Sequence, residues 1–206
     1  MTEVYAEIDR ICANDGTGIN GWCTSFKGRW LADHVVREGL IHCVEIGVFG
    51  GRSLLSIALG VKHLARGGYA LGIDPYTLDR HIEGVGSKPD IDWAKRVDYE
   101  AVYQQALTDI RKRGLGSHCG IVRAASEEVA GLVGTIDLLH IDGAHSIIAS
   151  CRDVEVWVPK LRPGAICILD DSTWPSIQPA RAMLASMCEP PVEPEAGCGW
   201  EAYRKL

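Results

Sequence analysis

The chain has 206 residues, enough for one domain that folds without staples and too few for two of ordinary size. Its 21 Lys and Arg against 27 Asp and Glu give a net charge of −6, and no basic run could neutralise several phosphates, so nucleic acid is not expected as a partner. The first residues carry neither a basic cluster nor an apolar run, no stretch approaches the roughly 20 apolar residues of a membrane span, and the eight cysteines are scattered without a CxxC pair. These features describe a cytoplasmic protein, without membrane contact, whose cysteines are reduced core residues.

Residues 1–38 predict leading helices with a Gly-containing break at 15–21. Beyond them, apolar runs of strand length recur at 41–46, 69–73, 119–122, 136–141 and 165–169, each followed by a Gly, Pro, Asp or Ser turn signal. Helical patterns at 52–65, 99–113, 126–132 and 147–158 lie between them. Parallel strands need crossover connections, and right-handed crossovers cover both faces. The alternation therefore predicts a Rossmann-like, doubly wound α/β sheet in a single domain, with ligands bound outside the carboxyl ends of its strands. The polar segment 77–98 departs from the rhythm and reads as a lid or substrate-binding insertion, and a Pro- and Gly-rich loop at 188–199 precedes a last strand at 200–206.

The first strand runs into Glu45-Ile46-Gly47-Val48-Phe49-Gly50-Gly51-Arg52-Ser53, a glycine turn that opens a helix. Gly47, Gly50 and Gly51 suit close approach of backbone to a cofactor, with Ser53 in the first helical turn, although a plain tight turn has the same signature. Glu45 beside the turn would repel a pyrophosphate but attract the ammonium or sulfonium of S-adenosylmethionine. Asp74 ends the second strand, where a carboxylate accepts hydrogen bonds from both ribose hydroxyls; a turn aspartate before Pro75 is the alternative. Ala125 and Ser126 end the third strand and would border the adenine, with Ser126 equally able to cap the helix that begins Glu127-Glu128.

Three carboxylates stand where strands end: Asp142 in Leu-His-Ile-Asp-Gly-Ala-His, and Asp170 with Asp171 after Gly-Ala-Ile-Cys-Ile-Leu. Hard oxygen ligands of this kind suit Mg²⁺ or another divalent cation. The alternative is a turn-and-cap cluster with Ser172 and Thr173, but adjacent carboxylates are costly to hold together without a cation.

The chain resembles the class I S-adenosylmethionine-dependent methyltransferases. Within them it is most similar to the small-molecule O-methyltransferases related to the catechol, macrocin and mycinamicin enzymes and cephalosporin-hydroxylase-like proteins. The resemblance spans 21–174 and rests on Val-Glu-Ile-Gly-Val-Phe-Gly-Gly-Arg-Ser, Gly-Ile-Asp-Pro, Ile-Asp-Gly-Ala-His, Leu-Arg-Pro-Gly-Ala and Leu-Asp-Asp in combination. It implies a seven-stranded, mostly parallel sheet whose first and fourth strands meet at the switch point, so that Glu45, Asp142 and Asp170 converge. It further implies that Asp142, Asp170 and Asp171 hold a metal that binds the acceptor hydroxyl and favours its deprotonated form, with Asp142 also bordering the cofactor. His145, three residues after Asp142, takes the position of the general base, with capping or substrate binding as its alternative. The segment 21–28 resembles the one packed over the methionine part of the cofactor, with Thr24 or Lys27 near its carboxylate.

Two departures stand out: Ala165 replaces the second glycine of Pro-Gly-Gly, and 77–98 carries no motif that aligns. Among Trp22, Trp93 and Trp174, the last follows the metal motif directly and is the favoured pocket residue. Arg80, His81 and Lys88 receive no role, and His140, inside an apolar strand, reads as structural. The expected function is divalent-metal-dependent O-methylation of a small hydroxylated molecule such as a catechol, sugar or secondary metabolite, by a possible homodimer. The alternatives are a protein that binds the cofactor without turnover and a nicotinamide-dependent oxidoreductase, the latter disfavoured by Gly-Val-Phe-Gly-Gly with Glu45 beside it.

Overall fold

Five parallel strands and one antiparallel strand form a single sheet in the order β3-β2-β1-β4-β5-β6. They are β1 (His42–Ile46), β2 (Tyr69–Ile73), β3 (Cys119–Val122), β4 (Ile136–Ile141), β5 (Leu161–Leu169) and β6 (Glu201–Arg204). The computed structural model describes residues 1–192, 194 and 197–206. Every residue of β4 is buried, as expected of a central parallel strand covered on both faces.

The covering helices are α1 (Thr2–Ile11), α2 (Ser25–Glu38), α3 (Arg52–Leu64), α4 (Leu78–His81), α5 (Lys88–Ala94), α6 (Tyr99–Lys112), α7 (Ser126–Val129), α8 (Ile147–Trp157) and α9 (Gln178–Ala185). One core joins α1, α2 and α3 through Ile8, Ile11, Leu31, Val35, Leu55 and Ile57; the other joins α8 and α9 to the sheet through Val154, Trp157, Ile177 and Leu184. Each fully buried aliphatic side chain contributes roughly 1.5–3 kcal/mol of transfer free energy. Thr24, Asp98 and Ser146 cap α2, α6 and α8 by accepting the backbone N–H of Lys27, Ala101 and Ala149 at 3.2, 3.0 and 3.2 Å.

The chain winds outward from β1 to β3 and returns to place β4 against the other edge of β1, with Glu45 beside His140 and Ile46 beside Ile141. The loops that follow β1 and β4 therefore leave the sheet together, at the switch point. Backbone bonds carry the register past the strand ends: Asp142 N–H donates to Ile46 O at 2.9 Å, and Asp170 N–H donates to Ile141 O at 3.0 Å.

The architecture expected from the sequence is present, with differences at its edges. Among the described residues the sheet has six strands rather than seven. On the outer side of β6, among the described residues, two isolated bridges form, Cys188 with Lys205 and Val192 with Ala202; between them stand Pro190 and Pro191, which have no N–H to give a ladder. Strand β5 begins four residues earlier than its apolar run, because a register shift opposite 136–138 absorbs Pro163 and Gly164. Helix α9 was not expected, the segment 77–98 holds the short helices α4 and α5, and α7 tightens into a 3₁₀ turn at Ala130–Leu132. Among the described residues no helix is long and apolar enough to cross a membrane.

Candidate active site

The carboxyl ends of β1, β2, β4 and β5 open into a cavity of about 930 Å³, closed on one side by the segment before α2 and on another by the 77–98 excursion. Its floor needs glycine for reasons internal to the protein. A Cβ on Gly47, at φ +83°, would lie 2.0 Å from Asp142 O, and one on Gly50 would lie 1.8 Å from Asn20 O. Gly47 thus lets the β1 and β4 loops touch, and Gly50 lets the N-terminal segment dock on the turn. Gly51 is the left-handed residue before α3.

On the cofactor side, Asp74 accepts Val48 N–H and Phe49 N–H through Oδ2, both at 2.9 Å, and Tyr76 N–H through Oδ1 at 2.7 Å. It therefore fixes the glycine turn and makes the turn before Tyr76, while keeping lone-pair capacity on Oδ1 for a ligand in the cavity it lines. Burial raises its carboxyl pKa, against the pull of the three amides. Glu45 is fully buried and lies outside the cavity lining, its oxygens bonded to Ser53 Oγ at 2.9 Å and His140 Nδ1 at 3.0 Å. Glu45 and Ser53 hold the strand to the helix beneath the turn. Ala125 and Ser126 line the cavity, and Ser126 Oγ bonds to the buried Asp153 carboxylate. Burial raises the Asp153 pKa to about 6.

Asp142, Asp170 and Asp171 all line the cavity but do not form one ligand set. Donor atoms gather as His140, Asp142 and Asp170, and again as Asp142, His145 and Asp171, each set within 4.8 Å. The division follows from the backbone. Asp170 ends the strand, whereas Asp171 takes φ +49° and directs Oδ2 to His145 Nε2 at 2.8 Å. Lys27, almost fully buried on α2, bonds Asp170 through Nζ. Its ammonium pKa is raised: burial opposes the charge, but the Asp170 and Asp142 carboxylates outweigh it. Burial likewise opposes charge on Asp170, yet Lys27 holds its pKa well below the usual range, while burial and the Asp170 charge push Asp142 well above it. Lys27 thus favours the charged form of Asp170, and a second charge on Asp142 beside it is disfavoured.

A carboxylate can only accept, so in a neutral His145 the Nε2 facing Asp171 carries the proton and Nδ1 is the basic nitrogen. His145 lies one residue before the cap of α8 and meets Trp174 edge-to-face at 5.1 Å. Trp22, Phe49 and Trp93 form a second aromatic wall, with centroids 5.2–5.9 Å apart, and His81 adjoins Trp93 at 5.4 Å. At the rim, Arg80 and Arg152 both pair with Glu83 and Glu127, tying the excursion to α7 and α8.

Three contributors escaped the sequence reading. Arg52, buried at the start of α3, donates to the carbonyls of Cys12, Ala13, Ile19 and Cys23 and to Asn14 Oδ1, holding the N-terminal segment against the turn. Asp153 and the Arg80–Arg152 network were missed as well. Apart from Arg80 with Glu83, three residues on, their partners are remote in sequence and leave no local signal. Lys27, expected near the cofactor, lines the cavity and bonds Asp170.

A family model described as a methyltransferase domain matches residues 44–172. No curated protein matches the sequence. Among solved structures, the O-methyltransferase NovP superposes with a TM-score of 0.74 at 12% identity, over 100% of this chain and 98% of that one. TomG, an O-methyltransferase from Streptomyces achromogenes involved in tomaymycin synthesis and solved with S-adenosylmethionine, gives 0.67 at 14%, over 99% and 90%. An O-methyltransferase from Bacillus cereus, solved with S-adenosylhomocysteine, gives 0.64 at 17%, over 98% and 91%. At such low identity these likenesses establish the fold.

Proposed function

The chain belongs to the methyltransferase domain family, and from that premise we propose that it transfers the methyl group of S-adenosylmethionine to a hydroxyl of a small molecule, with His145 as base and a divalent cation at the carboxylates. The observation that carries the reading is the His145–Asp171 pair, which faces the same cavity as the glycine turn and Asp74.

The cavity fits the cofactor. Asp74 retains acceptor capacity toward a ribose, Ala125 and Ser126 border the space beyond it, and the turn after β1 presents backbone rather than side chains at Gly47 and Gly50. When bound, S-adenosylmethionine supplies a methyl group activated by its sulfonium. The donor chemistry also fits a cation, since Lys27 offsets only one of the neighbouring carboxylates. Asp142 and Asp170 would hold the ion with Asp171 at its edge, and a bound cation would lower the pKa of an acceptor hydroxyl.

The chain's own residues do the rest. Asp171 orients the imidazole, and His145 Nδ1 accepts the hydroxyl proton as the oxygen becomes nucleophilic. Trp174 against His145, with Trp22, Phe49 and Trp93 across the cavity, supplies flat apolar walls that exclude water and restrict the acceptor to an in-line approach. The 77–98 segment acts as the lid over this space.

Calorimetric titration with S-adenosylhomocysteine, in Mg²⁺ and again in chelator, tests the reading without knowledge of the acceptor. Saturable binding in both supports the cofactor assignment and justifies screening hydroxylated acceptors with and without metal. No binding in either condition ends the methyltransferase proposal.

A further inference from the structure

We propose that His140 is a metal ligand, and that the Glu45–His140 pair with Asp142 and Asp170 makes a nitrogen-containing site that prefers Mn²⁺ and similar transition-metal ions to Mg²⁺. The inference rests on the proposed cation at this cavity and specifies which side chains hold it and which ions it selects.

His140 sits inside β4 with no exposed surface. Its Nδ1 lies 3.0 Å from Glu45 Oε2, and Glu45, equally buried, also receives Ser53 Oγ. Because the carboxylate can only accept, Nδ1 bears the proton and Nε2 offers a lone pair. That Nε2 is buried, has no hydrogen-bond partner among the described residues, and faces Asp142 and Asp170. It stands 3.7 Å from Asp170 Oδ2.

Lys27 satisfies Asp170 Oδ2 but gives no hydrogen bond to Nε2, and a buried lone pair left without a donor is unfavourable unless a cation takes it. The spacing suits a metal. Ligands about 2.1 Å from an ion lie about 3 Å apart when adjacent and about 4.2 Å when opposed. An imidazole whose other nitrogen donates to a carboxylate is also the arrangement by which proteins fix and strengthen a histidine ligand.

The register explains the set: Glu45 and His140 are neighbours across β1 and β4, and His140 shares its strand face with Asp142 two residues on. Asp171 is left free to orient His145. A nitrogen donor among carboxylates favours Mn²⁺ and later first-row ions over Mg²⁺, which is served by oxygen alone.

The test uses the full chain without cofactor. Mn²⁺ and Mg²⁺ are titrated separately, and the Mn²⁺-loaded protein is examined by electron spin-echo envelope modulation for directly bound nitrogen. We expect Mn²⁺ to bind at least about tenfold more tightly than Mg²⁺. We also expect nitrogen modulation in the native protein and in His145→Asn, and its loss in His140→Asn. Glu45→Gln should weaken Mn²⁺ binding about 10- to 100-fold. His145→Asn decides the matter even if His140→Asn fails to fold, because among the described residues His140 and His145 are the histidines grouped with these carboxylates.

Bound Mn²⁺ without nitrogen modulation in the native protein overturns the inference, as does modulation lost in His145→Asn. Either result leaves a carboxylate-held cation intact. If neither ion binds while S-adenosylhomocysteine still does, the metal site fails together with the inference and the cofactor assignment stands.

Discussion

The floor and the rim of the cavity are built by opposite means. The floor joins the buried Glu45, His140 and Lys27 to the partly buried Asp170 through short-range bonds, next to the two hydrophobic cores. The rim, where the 77–98 excursion meets α7 and α8, is held by Arg80 and Arg152 pairing with Glu83 and Glu127, side chains about one-third exposed. Buried polar contacts are costly to break one at a time, whereas exposed ion pairs are weak and screened by salt. The same cavity thus has one end held by buried polar bonds and a cover held by partly exposed ion pairs.

The sharpest break in this comparison comes where floor and rim meet. His145→Ala should lower kcat on the first acceptor identified by about 10²- to 10⁴-fold, the range typical of a lost general base, while leaving the dissociation constant of S-adenosylhomocysteine within about twofold. Unchanged turnover would assign His145 to binding or capping instead.

Next in size is Arg52→Met, which removes the cation holding the N-terminal segment to the floor and leaves its carbonyl partners unsatisfied. Urea unfolding should show a loss of about 3 kcal/mol or more, since bonds to a buried charged group are each worth about 1.5–3 kcal/mol. A loss below 1 kcal/mol would mean that the segment docks through Ile8, Ile11 and the aromatic contacts alone.

Asp153 connects floor to rim and gives a pH signature. Its pKa is raised to about 6 in the folded protein from an ordinary 3.8, so between those values the folded chain binds more protons than the unfolded one. Stability should therefore fall as pH rises through this window, by up to about 3 kcal/mol. Asp153→Asn should flatten that segment of the pH–stability curve and leave the protein more stable at neutral pH. A curve of unchanged slope in the variant would refute the assignment.

The smallest effect belongs to the rim. Arg152→Ala should cost under about 1 kcal/mol in stability and weaken S-adenosylhomocysteine binding only a few-fold. That difference should vanish in about 0.5 M salt, where the native network is already screened. A large, salt-insensitive loss would move Arg152 from the cover to the binding surface.

Much of this arrangement was legible beforehand, because strand ends and turns are written locally. The alternation of apolar runs with helical patterns predicted a doubly wound sheet, and the strand order implied by the resemblance placed the loops after β1, β4 and β5 side by side, with Asp142 and Asp170 on them. The count of strands was not legible, because whether 188–192 extends into a ladder depends on two prolines against the edge of β6 rather than on apolar content. The roles of individual polar groups were also hidden. Glu45 was read toward the cofactor but lies beneath the turn, tied to Ser53 and His140.

What the sequence by itself determined is the set of elements and their succession along the chain, since periodicity and turn residues are properties of neighbouring residues; the order of strands in the sheet came with the resemblance carried by the motifs. Only the tertiary structure decided that Asp170 and Asp171 serve different partners, that Lys27 reaches Asp170 across 143 residues, and that His140 turns an unpaired nitrogen toward the carboxylates. The physical reason is common to all three. A side chain's partner is set by backbone dihedral, strand register and burial, and these exist only once distant segments have packed together.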